Sequence, residues 1–301
     1  MAKGLRRDDA SPPAPPALPA PPARFWWIAF GLAAGALFVA ERLRPLRSRK
    51  DPAPTRLGRN LTIGLLADAT TAACEIPIVA PVQRLAERRR LGLLRQLPLP
   101  RALRVVLGFL LLDYTLYVWH WLNHRAPLLW RFHAVHHLDL DLDSSTGVRF
   151  HFGELTLAAG FRAAQIVLLG VDGETLRTWQ RCLLLSVIFH HSNLALPVDV
   201  ERRLQFVVVT PRMHAVHHST RVEETNTNYS SLLSSWDRLH RSLRLDVPQR
   251  AITIGVAGLL DPCEVTLDRS LTLPFRREPR LNGYRGNAGR PGNRESLASP
   301  M

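Results

Sequence analysis

The strongest constraint on this chain is the stretch from Asp113 to His137, DYTLYVWHWLNHRAPLLWRFHAVHH, in which an apolar run ends in a cluster of imidazoles. With the part before Pro127 helical, Asp113, Tyr117, His120 and His124 follow one another at four, three and four residues and project from one face. The rest of that turn is Leu, Val and Trp. Beyond Pro127, His133, His136 and His137 again share a helical face. The pentapeptide HAVHH then recurs from His214 to His218, preceded both times by Arg and one apolar residue.

Metal binding explains such spacing. Neutral imidazole is a good ligand for iron, zinc, copper and nickel, and pairs at i,i+3 or i,i+4 let a rigid helix supply two ligands without ordering a loop. Taken singly, each is equally a core or surface histidine. As a set, buried imidazoles without metal or hydrogen-bond partners would each cost stability, and a protonated cluster would repel itself.

The apolar share, 46%, is ordinary for a soluble protein, but it is segregated into a few long runs with arginines crowding the connections. That is the distribution of a membrane protein. The net charge of +14 flanks apolar runs rather than interleaving with aromatics, so anionic lipid headgroups explain it better than nucleic acid. Cys74, Cys182 and Cys263 are widely spaced and form no CxxC, which predicts reduced thiols and a histidine-only metal site.

Taken in order, residues 1–23 read as a disordered Pro/Ala-rich tail. Residues 24–104 read as N-terminal membrane helices and basic loops, with no cleavable signal. The first helix starts at Arg24-Phe25-Trp26-Trp27 and runs through Ala40. The run Leu61 to Val82 carries Asp68, Glu75, Pro77 and Pro81, so it is kinked, tilted or re-entrant. Both loops around it, Glu41 to Asn60 and Arg84 to Arg104, are basic, which the positive-inside rule does not allow for both ends of one span. Asp139, Asp141 and Asp143 alternate with leucine but lack the glycine and terminal glutamate of an EF-hand, so they read as a solvated turn or as acids supporting ligands. Leu155 to Gly170 and Leu183 to Leu196 read as a membrane hairpin joined by VDGETLRTWQR. His190 and His191 lie deep in its returning arm and are functional on that ground. Residues 246–301 read as a C-terminal extension, disordered from about 276. The fold class expected is all-α: an integral membrane helical bundle of about four to five membrane segments, its histidine-bearing helices forming a metal site on the cytoplasmic side.

HxxxH at His120 and His124, HxxHH at His133, His136 and His137, RFH at His151, HSN at His191 and HxxHH at His214, His217 and His218 resemble the fatty acid hydroxylase superfamily, often called the sterol desaturase family. The words LLWRFHAVHH, TPRMHAVHHS and NYSSLLSSWDRLH are similar to those of its bacterial members. The likeness covers residues 105–245, which form the expected catalytic domain. It implies two non-haem iron ions held by His120, His124, His133, His136, His137, His191, His214, His217 and His218, with His151 and His190 as further ligand candidates. It also implies dioxygen as co-substrate, external electrons and hydroxylation or desaturation of a lipid.

Asp113, Tyr117, Asn193 and Asn228 are candidates for orienting the ligands from behind, with Glu154 comparable to them. The substrate expected is a sterol, fatty acyl chain, carotenoid or ether lipid drawn from the bilayer. Electrons are expected from a separate ferredoxin, reductase or cytochrome-type protein, and a bacterial inner membrane is the expected location. Two alternatives remain. A zinc-dependent membrane enzyme would need only three protein ligands and an open position. A non-catalytic metal-binding membrane protein would spread its ligands along a path. Haem is disfavoured, since it takes at most two axial histidines.

Overall fold

A computed structural model describes residues 23–51, 53–278 and 281, so the expected N-terminal tail and most of the expected C-terminal tail lie outside the described residues. In chain order the longer elements are α1 (Ala23–Leu43), α2 (Ala53–Thr70), a π turn (Thr71–Glu75), α3 (Ile76–Arg88), α4 (Leu93–Gln96), α5 (Arg101–Arg125), α6 (Pro127–His137), α7 (Phe152–Leu169) and α8 (Gly173–His191). Shorter helices follow: α9 (Val198–Leu204), α10 (Pro211–His217), α11 (Val222–Thr225), α12 (Ser235–Leu239) and α13 (Leu267–Thr272). Among the described residues, β pairing is confined to isolated bridges, such as Pro45 with Leu194.

Four helical stretches are long and apolar enough to cross a membrane: Phe25–Leu43, Pro54–Gln96, Arg101–Arg125 and Phe152–Leu169. Their outer faces are bare hydrocarbon, with Leu32 71%, Leu65 70% and Leu168 68% exposed. A water-soluble surface does not carry such a continuous apolar face, so these side chains face lipid. The protein is an all-α, membrane-associated bundle.

The second stretch does not fold back. α7 packs in succession along α2, the π turn and α3, so the chain runs on in one direction through the interruption and is not re-entrant. Its two flanking basic loops therefore lie at opposite ends of the bundle. Residues of the first touch Asp139 and Asp141, while the second leads into Arg101, at the far end of α5 from His124. One of the two basic loops breaks the positive-inside rule.

The expected hairpin is also revised. Its connection is only Gly170 to Asp172, and most of VDGETLRTWQR is the first half of α8. Asp172 starts that helix by accepting hydrogen bonds from the Glu174 and Thr175 amides, at 3.0 and 2.8 Å. Thr175, Leu176 and Trp179 then turn inward and are buried. α7 ends at Gly170, whose φ of +73° is the left-handed cap that glycine supplies without strain. Gly170 lies against Gly92, φ +96°, so closely that a Cβ on Gly92 would stand 2.2 Å from the Gly170 nitrogen. This glycine pair closes the loop before α4 onto the end of α7.

The repeated pentapeptide works by facing two ways. Pro127 and Pro211 sit in the first turns of α6 and α10, where a missing N–H costs nothing, and the Thr210 side chain caps α10. Ala134 and Val135 point away from the histidines into a core with Trp130, Leu138, Val256, Leu259 and Leu273. Ala215 and Val216 do the same against Leu142, Val247, Ile252 and Ile254. The chain beyond Asp246 thus covers the backs of both histidine helices.

Candidate metal centre

α5 delivers His120 and His124, α6 delivers His133, His136 and His137, α8 ends in His190 and His191, and α10 with its following residue supplies His214, His217 and His218. Nine of these imidazoles fall into two buried groups, His120, His124, His133, His137 and His217, and His136, His191, His214 and His218. Within each group the nearest ring nitrogens all lie within 4.8 Å of one another. The groups adjoin: the His137 and His218 rings stack at 4.3 Å between centroids.

The outer nitrogens fix the chemistry of the inner ones. Nδ1 of His120, His136, His191 and His217 faces the backbone carbonyl of Tyr229, Arg149, Val187 and Thr227, at 2.6, 3.2, 2.7 and 2.8 Å. A carbonyl only accepts, so each Nδ1 carries the proton and each neutral ring presents a lone pair at Nε2. Nε2 of His136 and His191 nevertheless lie 3.0 Å apart. Two lone pairs facing at that distance repel unless a cation lies between them. Protonation is not the remedy here. Burial, reinforced by neighbouring imidazoles, pushes His136, His137, His214 and His218 well below the ordinary histidine range, and His217 to about 3. In the other group, Nε2 of His120, His124, His133 and His217 is buried without a hydrogen-bond partner. The donor set therefore fits two metal ions.

Glu154 is the carboxylate of the centre: its Oε1 accepts from His133 Nδ1 at 2.9 Å and from Asn123 at 3.4 Å. Of the other expected supporting residues, none touches an imidazole of the two groups. Asp113 accepts from the Trp236 and Trp179 indoles and the Leu233 amide at 2.7, 3.4 and 3.1 Å, fixing α5 to α8 and to the segment before α12. Tyr117 hydrogen-bonds Ser242 at 2.9 Å. Asn193 exchanges hydrogen bonds with the Arg47 backbone at 2.9 Å in both directions. Asn228, at φ +52°, donates to the carbonyls of Met213 and Arg244 and so holds α10 in place.

His151 is not brought to either group. It caps α7, accepting from the Gly153 amide at 2.9 Å, and its other nitrogen meets the Leu271 carbonyl at 3.1 Å. His190 packs on the His214 ring at 4.1 Å, outside the second group, with Nδ1 unpartnered.

Asp139, Asp141 and Asp143 are buried rather than solvated. Arg56 binds Asp139 at 2.8 Å through two nitrogens and Asp143 at 2.5 Å, and Asp141 accepts from the Lys50 and Asp51 amides. The arginines hold the carboxyls of Asp139 and Asp143 below the usual carboxylate range despite burial. Sequence reasoning assigned no partner to these acids, and it missed Arg149. That fully buried guanidinium joins Val135, Asn60 and Ser270 at 2.8, 2.8 and 2.6 Å, while its carbonyl orients His136.

Above the histidines a cavity of about 500 Å³ opens between α2, α5, α7 and α8, with His120, His133, His136, His191 and His214 among its lining. Leu116, Trp119, Phe161 and Val187 make its walls apolar.

Comparison with known proteins agrees with this geometry. The fatty acid hydroxylase family model matches residues 105–242. An ornithine lipid hydroxylase of Rhizobium tropici is 32% identical over 53% of this chain and 47% of its own. A cholesterol 25-hydroxylase-like protein of Danio rerio is 30% identical over 49% and 59%, and the cholesterol 25-hydroxylase of Homo sapiens 28% over 48% and 53%. The chain spans about half the length of the curated relatives it matches. No solved structure is significantly similar to it. Residues 105–242, which carry all nine clustered histidines, are thus the part of the chain that is similar to the fatty acid hydroxylase family.

Proposed function

We propose that the protein is a membrane-bound non-haem diiron oxygenase that hydroxylates or desaturates a lipid, using dioxygen and electrons from a separate redox protein. The observation that carries this is the pair of adjoining, all-imidazole groups whose lone pairs face inward at the floor of an apolar cavity. His120, His124, His133, His137 and His217 would hold one iron, and His136, His191, His214 and His218 the other. Iron bound there would supply the activation of dioxygen needed to break an unactivated C–H bond.

The chain's own part is positional. The backbone carbonyls of Tyr229, Arg149, Val187 and Thr227 and the Glu154 carboxylate set ring orientation and keep the outer protons on Nδ1. Leu116, Trp119, Phe161 and Val187 exclude water and present an apolar body to the histidines. The relatives' names span an ornithine lipid and cholesterol, which supports a membrane lipid as substrate class. The proposal puts the centre on the cytoplasmic side of a bacterial-type inner membrane, with Glu41 to Asn60 as the cytoplasmic loop and Arg84 to Arg104 as the exception to the positive-inside rule.

Elemental analysis of detergent-purified protein tests the reading. Two irons per chain are expected, with loss from both groups in a His136→Ala, His217→Ala double variant. Stoichiometric zinc surviving iron-supplemented expression, or no metal, would overturn it.

A further inference from the structure

The cavity above the histidines is apolar in its middle and polar again at its far end. There it is lined by Glu75 of the π turn, by Arg162 of α7 and by Gln180 of α8, with the exposed Asp68 about two helical turns back along α2. Arg162 lies eight residues along α7 from Glu154, a rise of about 12 Å. Gln180 lies eleven residues before His191 on α8, about 16 Å. These groups sit within or beside membrane-crossing helices, where an ionisable side chain is costly and marks a ligand path unless it is fully paired.

They are not fully paired. Arg162 is held in place, its guanidinium 4.7 Å over the Trp179 ring and its Nη1 donating to Gln165 at 2.5 Å; Gln165 is itself tied to Thr115 of α5. Its buried Nε has no hydrogen-bond acceptor. The nearest Glu75 oxygen is 3.9 Å away, an ionic contact too long for a hydrogen bond. Asp68 has no ionic partner among the described residues. The far end thus offers a free donor direction beside a carboxylate with unused acceptor capacity.

We propose that the Glu75–Arg162 end of the cavity is a binding subsite for the hydroxyl end of an elongated amphiphile, a group that both donates and accepts. Its apolar body lies along Trp119 and Phe161, and its other end reaches the histidines. Three alternatives fare worse on simple grounds. A pure hydrocarbon would leave Glu75 and Arg162 Nε desolvated and unsatisfied. A carboxylate or phosphate would place a second anion beside Glu75, at a guanidinium that Glu75 already offsets. A hydroxyl donates to Glu75 while accepting from Arg162 Nε. The subsite also acts as a ruler, fixing which carbon, roughly 12–16 Å from the polar end, meets the metal centre. That last step rests on the oxygenase reading, whereas the binding itself does not.

The test is equilibrium binding of tritiated dodecanol and dodecylamine to the full chain in phosphatidylcholine nanodiscs, with empty nanodiscs subtracting partition into lipid. Saturable binding near one site per chain is expected for dodecanol, with dodecylamine, which cannot accept from Arg162 Nε, binding more weakly. Dodecanoate should compete at least tenfold more weakly, and dodecane should not compete. Glu75→Gln should weaken binding about tenfold with metal content unchanged. Arg162→Lys, which keeps the charge and removes the Nε donor, gives a second weakened variant if Glu75→Gln does not fold. No saturable binding, equal competition by dodecanoate or dodecane, or unchanged affinity in the folded variants would overturn the proposal. None of these readouts uses turnover or iron, so failure of the oxygenase reading would show separately, in metal content.

Discussion

His133 Nδ1 lies 2.9 Å from Glu154 Oε1, joining a ligand candidate on α6 to a carboxylate one turn into α7, whereas the Nδ1 atoms of His120, His136, His191 and His217 meet neutral backbone carbonyls. A carboxylate behind an imidazole raises its basicity and locks its orientation. Glu154→Ala should therefore lower affinity at the His133 group about 10–100-fold, with a smaller loss for Glu154→Gln. The His136 group, whose outer contacts are to other elements, should be nearly unaffected. Competitive chelation resolving two metal equivalents checks this.

Arg56 is the hub of the buried acids beneath the centre, at 2.8 Å from Asp139 and 2.5 Å from Asp143. Removing it strands two carboxylates. Arg56→Met should cost about 3–5 kcal/mol in detergent melts. Arg101→Met removes an ion pair to Glu174 whose side chains are 85% and 69% exposed, and should change stability by less than about 1 kcal/mol.

Acid should destabilise the metal-free protein in two stages. His136, His137, His214, His217 and His218 have folded pKa values pushed below the unfolded value of about 6.5, so the unfolded chain binds more protons below that pH. Their contribution is complete above about pH 6.5 and is lost as pH falls towards the folded values. Asp139 and Asp143, also depressed, add a loss only once pH drops below the ordinary carboxylate value of about 4. Melting temperature measured from about pH 8 to 2 should start falling near 6.5 and fall again below about 4, and bound metal should delay the first fall by competing with protons.

Gly92 and Gly170 make a contact that no side chain can enter, since a Cβ on Gly92 would stand 2.2 Å from backbone. Gly92→Ala should cost at least about 2 kcal/mol through strain and displacement of the α7 end. Gly160→Ala, in the same helix with nothing within 4 Å, should instead stabilise by about 0.5–1 kcal/mol. Thermal melts of the two variants side by side decide it.

Much of the centre was legible because helical periodicity is a local property. The spacing of His120 with His124, and of His133 with His136 and His137, fixes shared faces whatever the tertiary fold, and Pro127 and Pro211 mark where two of the helices begin. The apolar runs likewise announced the membrane helices, because lipid-facing side chains need no partner. Spacing could not say which histidines from different helices meet, since His137 joins His217 while its neighbour His136 joins His191 and His214. That division depends on how α5, α6, α8 and α10 pack.

The same limit explains the revisions. His151 shares the composition of a ligand, but its place at the start of α7 gives both nitrogens other work. Asp139, Asp141 and Asp143 look solvated in a polar segment until Arg56 and the Lys50 and Asp51 amides arrive from about ninety residues away. Sequence by itself determined the membrane character, the histidine-bearing helices and the metal-binding chemistry, because these follow from residue type and period along one segment. Tertiary structure alone decided the two-group partition, the Glu154 contact and the arginine hub, because each is a pairing of side chains brought together across long loops.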